Sequence, residues 1–245
     1  MSGWQLADDL PAAARVAFAD LDRVFALEGE WIAADQMSKV LRVEVGGLRY
    51  YVKQYWSAGK GLRRWLGRPR VKAEWQNLRL FAQWGIPTAP VVAWGLERSK
   101  GCFGRGALIT AELAGTEDLA ALARNHDPRL RQRDWLDKVS HQLAEATRRM
   151  HRNGFAHNDL KWRNLLVDPA GELYLIDCPT GSFWWGPLLR YRVIKDLACL
   201  DKVAKYHLSR TRRLRFYLQY RGRERLSAND KRRLRKVLAF FEGRE

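Results

Sequence analysis

The hydrophobic pattern changes period several times along the chain, and each change marks an element. Residues 11–27 place apolar side chains on one face at helical spacing, with Pro11 suited to a first turn, and predict one amphipathic helix. Alternation takes over at 31–34, 40–45 and 48–54, the last two joined by Gly46-Gly47, and predicts three strands with a tight hairpin. From Val71 the period is helical again: Val71, Trp75, Leu78 and Ala82 share a face that stops at Gly85-Ile86-Pro87. Residues 91–95 and 107–112 read as two further strands, and Leu113-Ala114-Gly115 breaks the pattern. Helices dominate after the break. A short one is predicted over 116–124, and a long one with Trp135, Leu136, Val139, Leu143, Ala146 and Met150 on its packing face ends at Gly154. After a hairpin around Asp168-Pro169-Ala170-Gly171, helices are predicted over 193–208 and 210–220, and Ser227-Ala228-Asn229-Asp230 opens a last one as a capping box. Strands first and helices afterwards predict an α+β chain in two lobes. A small antiparallel-sheet lobe with one key helix, preceded by the N-terminal helix, takes 1–113, and a mainly helical lobe takes 114–245.

Composition adds bounds. At 245 residues and 47% hydrophobic the chain can bury a sizeable core. Cys102, Cys178 and Cys199 are an odd number without paired spacing, which points to reduced thiols in a cytoplasmic protein. The start carries Asp8, Asp9, Asp20 and Asp22 and no basic segment, so no signal peptide is expected, and no apolar run approaches the ~20 residues of a membrane span. A soluble or peripheral protein is the expectation. The net charge is +17, and residues 190–245 hold 18 Lys and Arg against 6 Asp and Glu. Such a field attracts nucleic acid, anionic headgroups or a phosphorylated glycolipid. A basic face that only keeps the protein in solution is the plainer alternative, better suited to a short run than to a whole C-terminal quarter. Between 56 and 72, Lys60, Arg63, Arg64, Arg68, Arg70 and Lys72 interleave with Trp56, Trp65 and Leu66. That mixture suits a membrane interface or sugar-phosphate surface, and equally an ordinary solvated loop.

The chemistry concentrates in His157-Asn158-Asp159-Leu160-Lys161-Trp162-Arg163-Asn164, followed by an apolar hairpin that ends at Asp177. H-x-D-L-K-x-x-N, hairpin, aspartate is the layout of a kinase catalytic loop and its metal-binding carboxylate. Asp159 stands where a base accepts or orients the proton of an attacking hydroxyl, and Lys161 can reach the transferred phosphate. Asn164 and Asp177 offer oxygens to a hard cation such as Mg²⁺. Upstream, Lys53 near the end of the third strand fits the lysine that reaches the phosphates of ATP. Glu74, the sole acidic residue between Lys53 and Gly95, fits its helix partner. The loop between the first two strands holds no glycine, so Ser38 and Lys39 would supply a hydroxyl and a charge where bare backbone N–H groups usually approach phosphate. Glu112 and Leu113 open the expected hinge, whose backbone would take the adenine edge.

The string His157 to Asn164 with Leu175-Ile176-Asp177 resembles the protein-kinase-like superfamily. Tyr51-Val52-Lys53, Glu74-Trp75 through Leu78, Gly85-Ile86-Pro87-Thr88, Leu108-Ile109-Thr110 and Lys195-Asp196-Leu197 extend the resemblance over about 38–200, to the bacterial lipopolysaccharide core kinases that phosphorylate heptose or Kdo. That resemblance implies a two-lobed kinase fold, ATP with Mg²⁺, and a lipid-linked core glycolipid as acceptor. It further implies a peripheral protein on the anionic cytoplasmic face of the inner membrane; a monomer with no nucleic acid as partner is the expectation. Two departures bear on the acceptor. Asp177-Cys178-Pro179 replaces D-F-G, and proline supplies neither glycine's freedom nor its N–H. Nor is there an A-P-E motif, and 180–189 is short for a regulated loop. Both point away from a signalling protein kinase. Ser182-Phe183-Trp184-Trp185-Gly186-Pro187-Leu188-Leu189, beside Arg190 and Arg192, reads as an acceptor platform or membrane-dipping edge, or as a loop anchored through Phe183 or Trp184. Asp196 is expected to brace the catalytic loop. The competing readings are a soluble kinase of the choline or aminoglycoside type, and a basic pseudokinase or scaffold.

Overall fold

A computed structural model describes residues 3–59, 67–99 and 101–243. Lys60, Arg63, Arg64, Trp65 and Leu66 of the basic connector lie outside the described residues. The chain divides into two compact units, Met1–Gln83 with Thr88–Ala114, and Trp84–Pro87 with Gly115–Glu245.

In the first unit, β1 (Gln5–Leu6), α1 (Ala12–Ala17) and α2 (Leu21–Ala26) precede β2 (Glu30–Ala34), β3 (Ser38–Val45) and β4 (Leu48–Tyr55). Then follow α3 (Arg70–Gln83), β5 (Val91–Ser99) and β6 (Cys102–Ala111). The described strands form one antiparallel sheet in the order β1-β5-β6-β4-β3-β2. Its alternation sorts side chains between two layers. Val52, Ala107 and Ile109 face the core that Phe18, Leu21 and Val24 complete from α1, α2 and the turn between them. Lys53 and Gly106 therefore face the other way, toward α3: a Cβ on Gly106 would stand 3.0 Å from Val71 Cγ1.

The single helix expected over 11–27 is two helices. Trp4 Nε1 donates to the Phe18 carbonyl at 2.7 Å, and Phe18 turns into the core, edge-on to Tyr50 at 5.1 Å. Asp20 then caps α2 by accepting the Arg23 N–H at 2.8 Å. Tertiary contacts and a cap thus override a continuous apolar stripe.

The second unit holds β7 (Glu117–Asp118), α4 (Leu119–Arg124), α5 (Arg133–Arg152), β8 (Phe155–Ala156), β9 (Leu165–Val167) and β10 (Leu173–Leu175). It continues with β11 (Ser182–Phe183), α6 (Gly186–His207), α7 (Arg210–Arg221) and α8 (Ala228–Leu238). β9 pairs with β7 and β10, and β11 pairs with β8. Ala144 of α5, Leu197 and Ala198 of α6, Tyr217 and Tyr220 of α7 and Val237 of α8 form its buried helical core. α6 begins seven positions earlier than expected, because Gly186-Pro187 starts the helix rather than interrupting the approach to it. Among the described residues no helix is long and apolar enough to cross a membrane.

The capping box at α8 forms as expected, with Ser227 and Asp230 bonding each other's backbone N–H. Arg221 Nε at 2.9 Å and Arg223 at 3.2 Å complete the shell around Asp230, which is 1% exposed. Burial opposes its charge, yet the bonds from Ser227 and Arg221 outweigh that and hold its pKa at about 2. The folded pKa is depressed, so the stabilisation is present above the unfolded value of 3.8 and is lost as pH falls toward 2. Asp230→Ala is expected to lower stability by roughly 2 kcal/mol at neutral pH. The gap to the wild-type protein, read from denaturant midpoints, should close between about pH 4 and pH 2.

Candidate active site

In the first unit, Lys53 Nζ lies 3.0 and 3.1 Å from the two carboxylate oxygens of Glu74. Strand alternation points Lys53 at α3, and Glu74 sits one turn into that helix. Both side chains are largely buried, at 15% and 5% exposed, so the pair does little for stability while holding the ammonium in one place. Tyr55, two residues beyond Lys53, donates its hydroxyl to Glu74 and puts its ring 5.5 Å from Lys53 Nζ. Nothing in the sequence pattern separated Tyr55 from an ordinary strand aromatic.

Ser38 and Lys39 are not loop residues: they open β3 opposite Tyr55 and Gln54. The turn before them closes on Asp35, which accepts from Met37 N–H at 2.8 Å, Ser38 N–H at 2.7 Å and the Ser38 hydroxyl at 3.1 Å. Burial opposes the Asp35 charge, but these bonds prevail and lower its pKa. Ser38 is buried with its hydroxyl proton spent on Asp35, so the structure gives no support to a hydroxyl offered to phosphate. Glu112 pairs with Arg49 at 2.8 Å and Arg42 at 3.9 Å, and its N–H donates to the Arg49 carbonyl at 3.0 Å. That residue has no donor left for a base edge. Leu113 follows it, half-buried, next to the boundary of the unit.

In the second unit the catalytic string folds as a brace-and-loop. Asp196 of α6, fully buried, accepts the His157 N–H at 2.7 Å on one carboxylate oxygen and the Asn158 N–H at 2.8 Å on the other. His151 of α5 approaches the same carboxylate at 3.3 Å through Nε2, and its Nδ1 lies 2.9 Å from the Tyr220 hydroxyl of α7. Three helices thus meet under one loop: Asp196 braces it as expected, and no spacing or period points to Tyr220. Burial lowers the pKa of His157, overriding the carboxylates of Asp196, Asp177 and Asp159, and keeps its imidazole neutral. Asn158 takes φ 66°, a left-handed conformation asparagine tolerates, and its side chain donates to the Thr180 carbonyl at 2.8 Å.

That kink presents Asp159 at the surface, 27% exposed, with one carboxylate oxygen 2.6 Å from Lys161 Nζ and the other 3.7 Å from Arg163. Asn164 Nδ2 donates to the Asp159 carbonyl at 2.9 Å, which fixes the amide. The Ile176 N–H donates to the Asn164 carbonyl at 3.0 Å, bringing the next residue, Asp177, to the same loop. Asp177 has φ 57°, the second strained position here. Among the described residues no cluster of three or more His, Cys, Asp and Glu can hold a metal. The oxygen chemistry of an asparagine and an aspartate held on one loop nevertheless suits Mg²⁺, which takes one or two protein ligands and fills its shell with phosphate and water.

Beyond Asp177, Cys178 is buried and Phe183 packs edge-on to Phe155 at 5.4 Å and Trp84 at 6.1 Å while remaining 53% exposed. Trp184 is half-buried, its backbone N–H on the Gly154 carbonyl at 2.8 Å.

Residues 21–234 match the Lipopolysaccharide kinase (Kdo/WaaP) family. The chain belongs to this family. A 3-deoxy-D-manno-octulosonic acid kinase of Xylella fastidiosa (strain M12) is 30% identical over 120 residues, covering 48% of this chain and 45% of the relative. One of the same name from Vibrio vulnificus (strain CMCP6) is 26% identical over 129 residues, covering 52% and 47%. The chain thus spans about half the length of these curated relatives. A solved structure of WaaP in complex with acyl carrier protein superposes with a TM-score of 0.73 at 26% identity, covering 98% of this chain and 96% of that one. The kinase-like α+β fold follows from that match.

Proposed function

We propose that this family member transfers the γ-phosphate of ATP to a hydroxyl of an inner-core sugar of lipopolysaccharide, Kdo first and heptose second. The observation that carries the reading is the Asp159–Lys161–Asn164 loop, with Asp177 delivered to it and Asp196 holding it from beneath. The names of the curated relatives favour Kdo. Asp159 accepts a hydrogen bond from the attacking hydroxyl and orients it in line. Lys161, already paired with Asp159, swings its ammonium onto the charge that develops on the transferred group. Lys53, held by Glu74, neutralises the remaining phosphates. Asn164 and Asp177 would hold Mg²⁺, which supplies charge neutralisation between the phosphates when bound. The acceptor is lipid-linked and the protein peripheral on the cytoplasmic face of the inner membrane, a reading supported by the basic C-terminal quarter. Acyl carrier protein, the partner in the solved WaaP complex, is carried over as a second binding partner to test by co-purification.

Purified protein with Mg²⁺-ATP should add one phosphate to lipid-linked inner core, and fragmentation by mass spectrometry should place it on Kdo. Core from cells lacking the protein should have lost that phosphate. An unchanged core phosphate pattern, with no transfer in vitro, would sink the assignment.

A further inference from the structure

The opening of α6 carries apolar surface that the phosphotransfer reading does not use. Trp185, its N-cap, is 75% exposed, and Leu188 and Tyr191, three and six positions on, are 50% and 48% exposed. Together they make one stripe on the first two turns. Phe183, 53% exposed, is supported from beneath by Phe155 and Trp84. Tyr191 also reaches the end of the last helix. Tyr191 meets Phe240 at 5.6 Å, just past α8, whose last turn exposes Leu238 together with Arg235 and Lys236. Arg190 and Arg192 flank Tyr191 in the sequence. Arg190 is exposed, and the Arg192 guanidinium lies 4.5 Å over Trp184 and 5.7 Å from the Tyr191 ring.

The chemistry of this edge selects its occupant. Tryptophan and tyrosine settle at the boundary between headgroups and acyl chains, and weakly hydrated guanidinium groups bind phosphate there. A second copy of the chain is disfavoured, since two molecules at +17 repel. We infer that Trp185, Leu188 and Tyr191, with Arg190 and Arg192 on the same two turns, form the edge that enters an anionic lipid bilayer. This rests on the proposed lipid-linked acceptor and names the surface by which the enzyme reaches it. An exposed apolar stripe alone would suit many partners, but the Arg192 guanidinium beside Tyr191 and the basic C-terminal quarter select an anionic interface.

The test uses the full chain without ATP or sugar, so its outcome is independent of whether transfer occurs. Vesicles of phosphatidylglycerol with phosphatidylcholine should sediment the protein, and vesicles of phosphatidylcholine alone should do so far less. Trp185→Ser with Leu188→Ser should weaken binding on the order of tenfold or more. Arg190→Gln with Arg192→Gln should weaken it by about fivefold per charge, and only on anionic vesicles. Should the serine variant fail to fold, Trp185→Phe serves instead: acyl-brominated lipid should quench wild-type fluorescence, and this change should remove much of that quenching. Equal sedimentation of wild-type and variants, or quenching untouched by Trp185→Phe, overturns the inference. So does loss of acyl carrier protein binding in the serine variant with vesicle binding intact, which would assign the edge to a protein.

Discussion

Asp159→Ala is expected to lower the turnover of phosphate transfer by roughly 10²–10⁴-fold while leaving ATP affinity near the wild-type value. The substitution removes the acceptor for the sugar hydroxyl proton. It also frees Lys161, now 2.6 Å from that carboxylate, and Arg163, at 3.7 Å. The fold should survive, because Asp159 is part-exposed and the loop is held through other atoms: its carbonyl on Asn164, and His157 and Asn158 on Asp196. Single-turnover phosphate transfer, set beside equilibrium nucleotide binding, separates the two effects. Turnover retained in the variant would remove Asp159 from the chemistry and with it the proposed reaction.

Asp196→Ala is the change with the largest expected effect on the fold of the site. It leaves the backbone N–H groups of His157 and Asn158 buried without acceptors and strips His151 of one partner. At about 1–3 kcal/mol for each orphaned donor, the loss is on the order of 3–4 kcal/mol, a large share of a typical domain's margin. Turnover should fall even below the melting transition, since the left-handed bend at Asn158 is no longer imposed on the loop. Asp196→Asn keeps one acceptor oxygen and should fall between the two. A urea midpoint within error of wild-type for Asp196→Ala would show that the brace carries nothing.

What the sequence made legible is what must be local. Phosphotransfer groups that share a loop lie within a few residues, so Asp159, Lys161 and Asn164 can be read as a string. The Lys53–Glu74 pair was legible for a different reason: no other acidic residue lies on the intervening stretch. Contacts with distant partners were not. Tyr220 reaches His151 across 69 positions, and no period or spacing carries that information. The break between α1 and α2 did have a signal, Asp20 three residues before the Arg23 N–H it caps, but the apolar stripe ran through it. The early start of α6 was signalled by Pro187 and obscured by the aromatic run around it. Ser38 looked like a loop residue because its acceptor, Asp35, makes so tight a turn that β3 begins on Ser38 itself.

α6 runs without interruption from Trp185, its cap, past Asp196 under the loop. At 1.5 Å per residue that interval is about 17 Å, and no joint lies within it. The helix is therefore a strut. With the edge at Trp185 seated as inferred, the brace under the Asp159 loop rides at a fixed distance from that seat along one rigid helix.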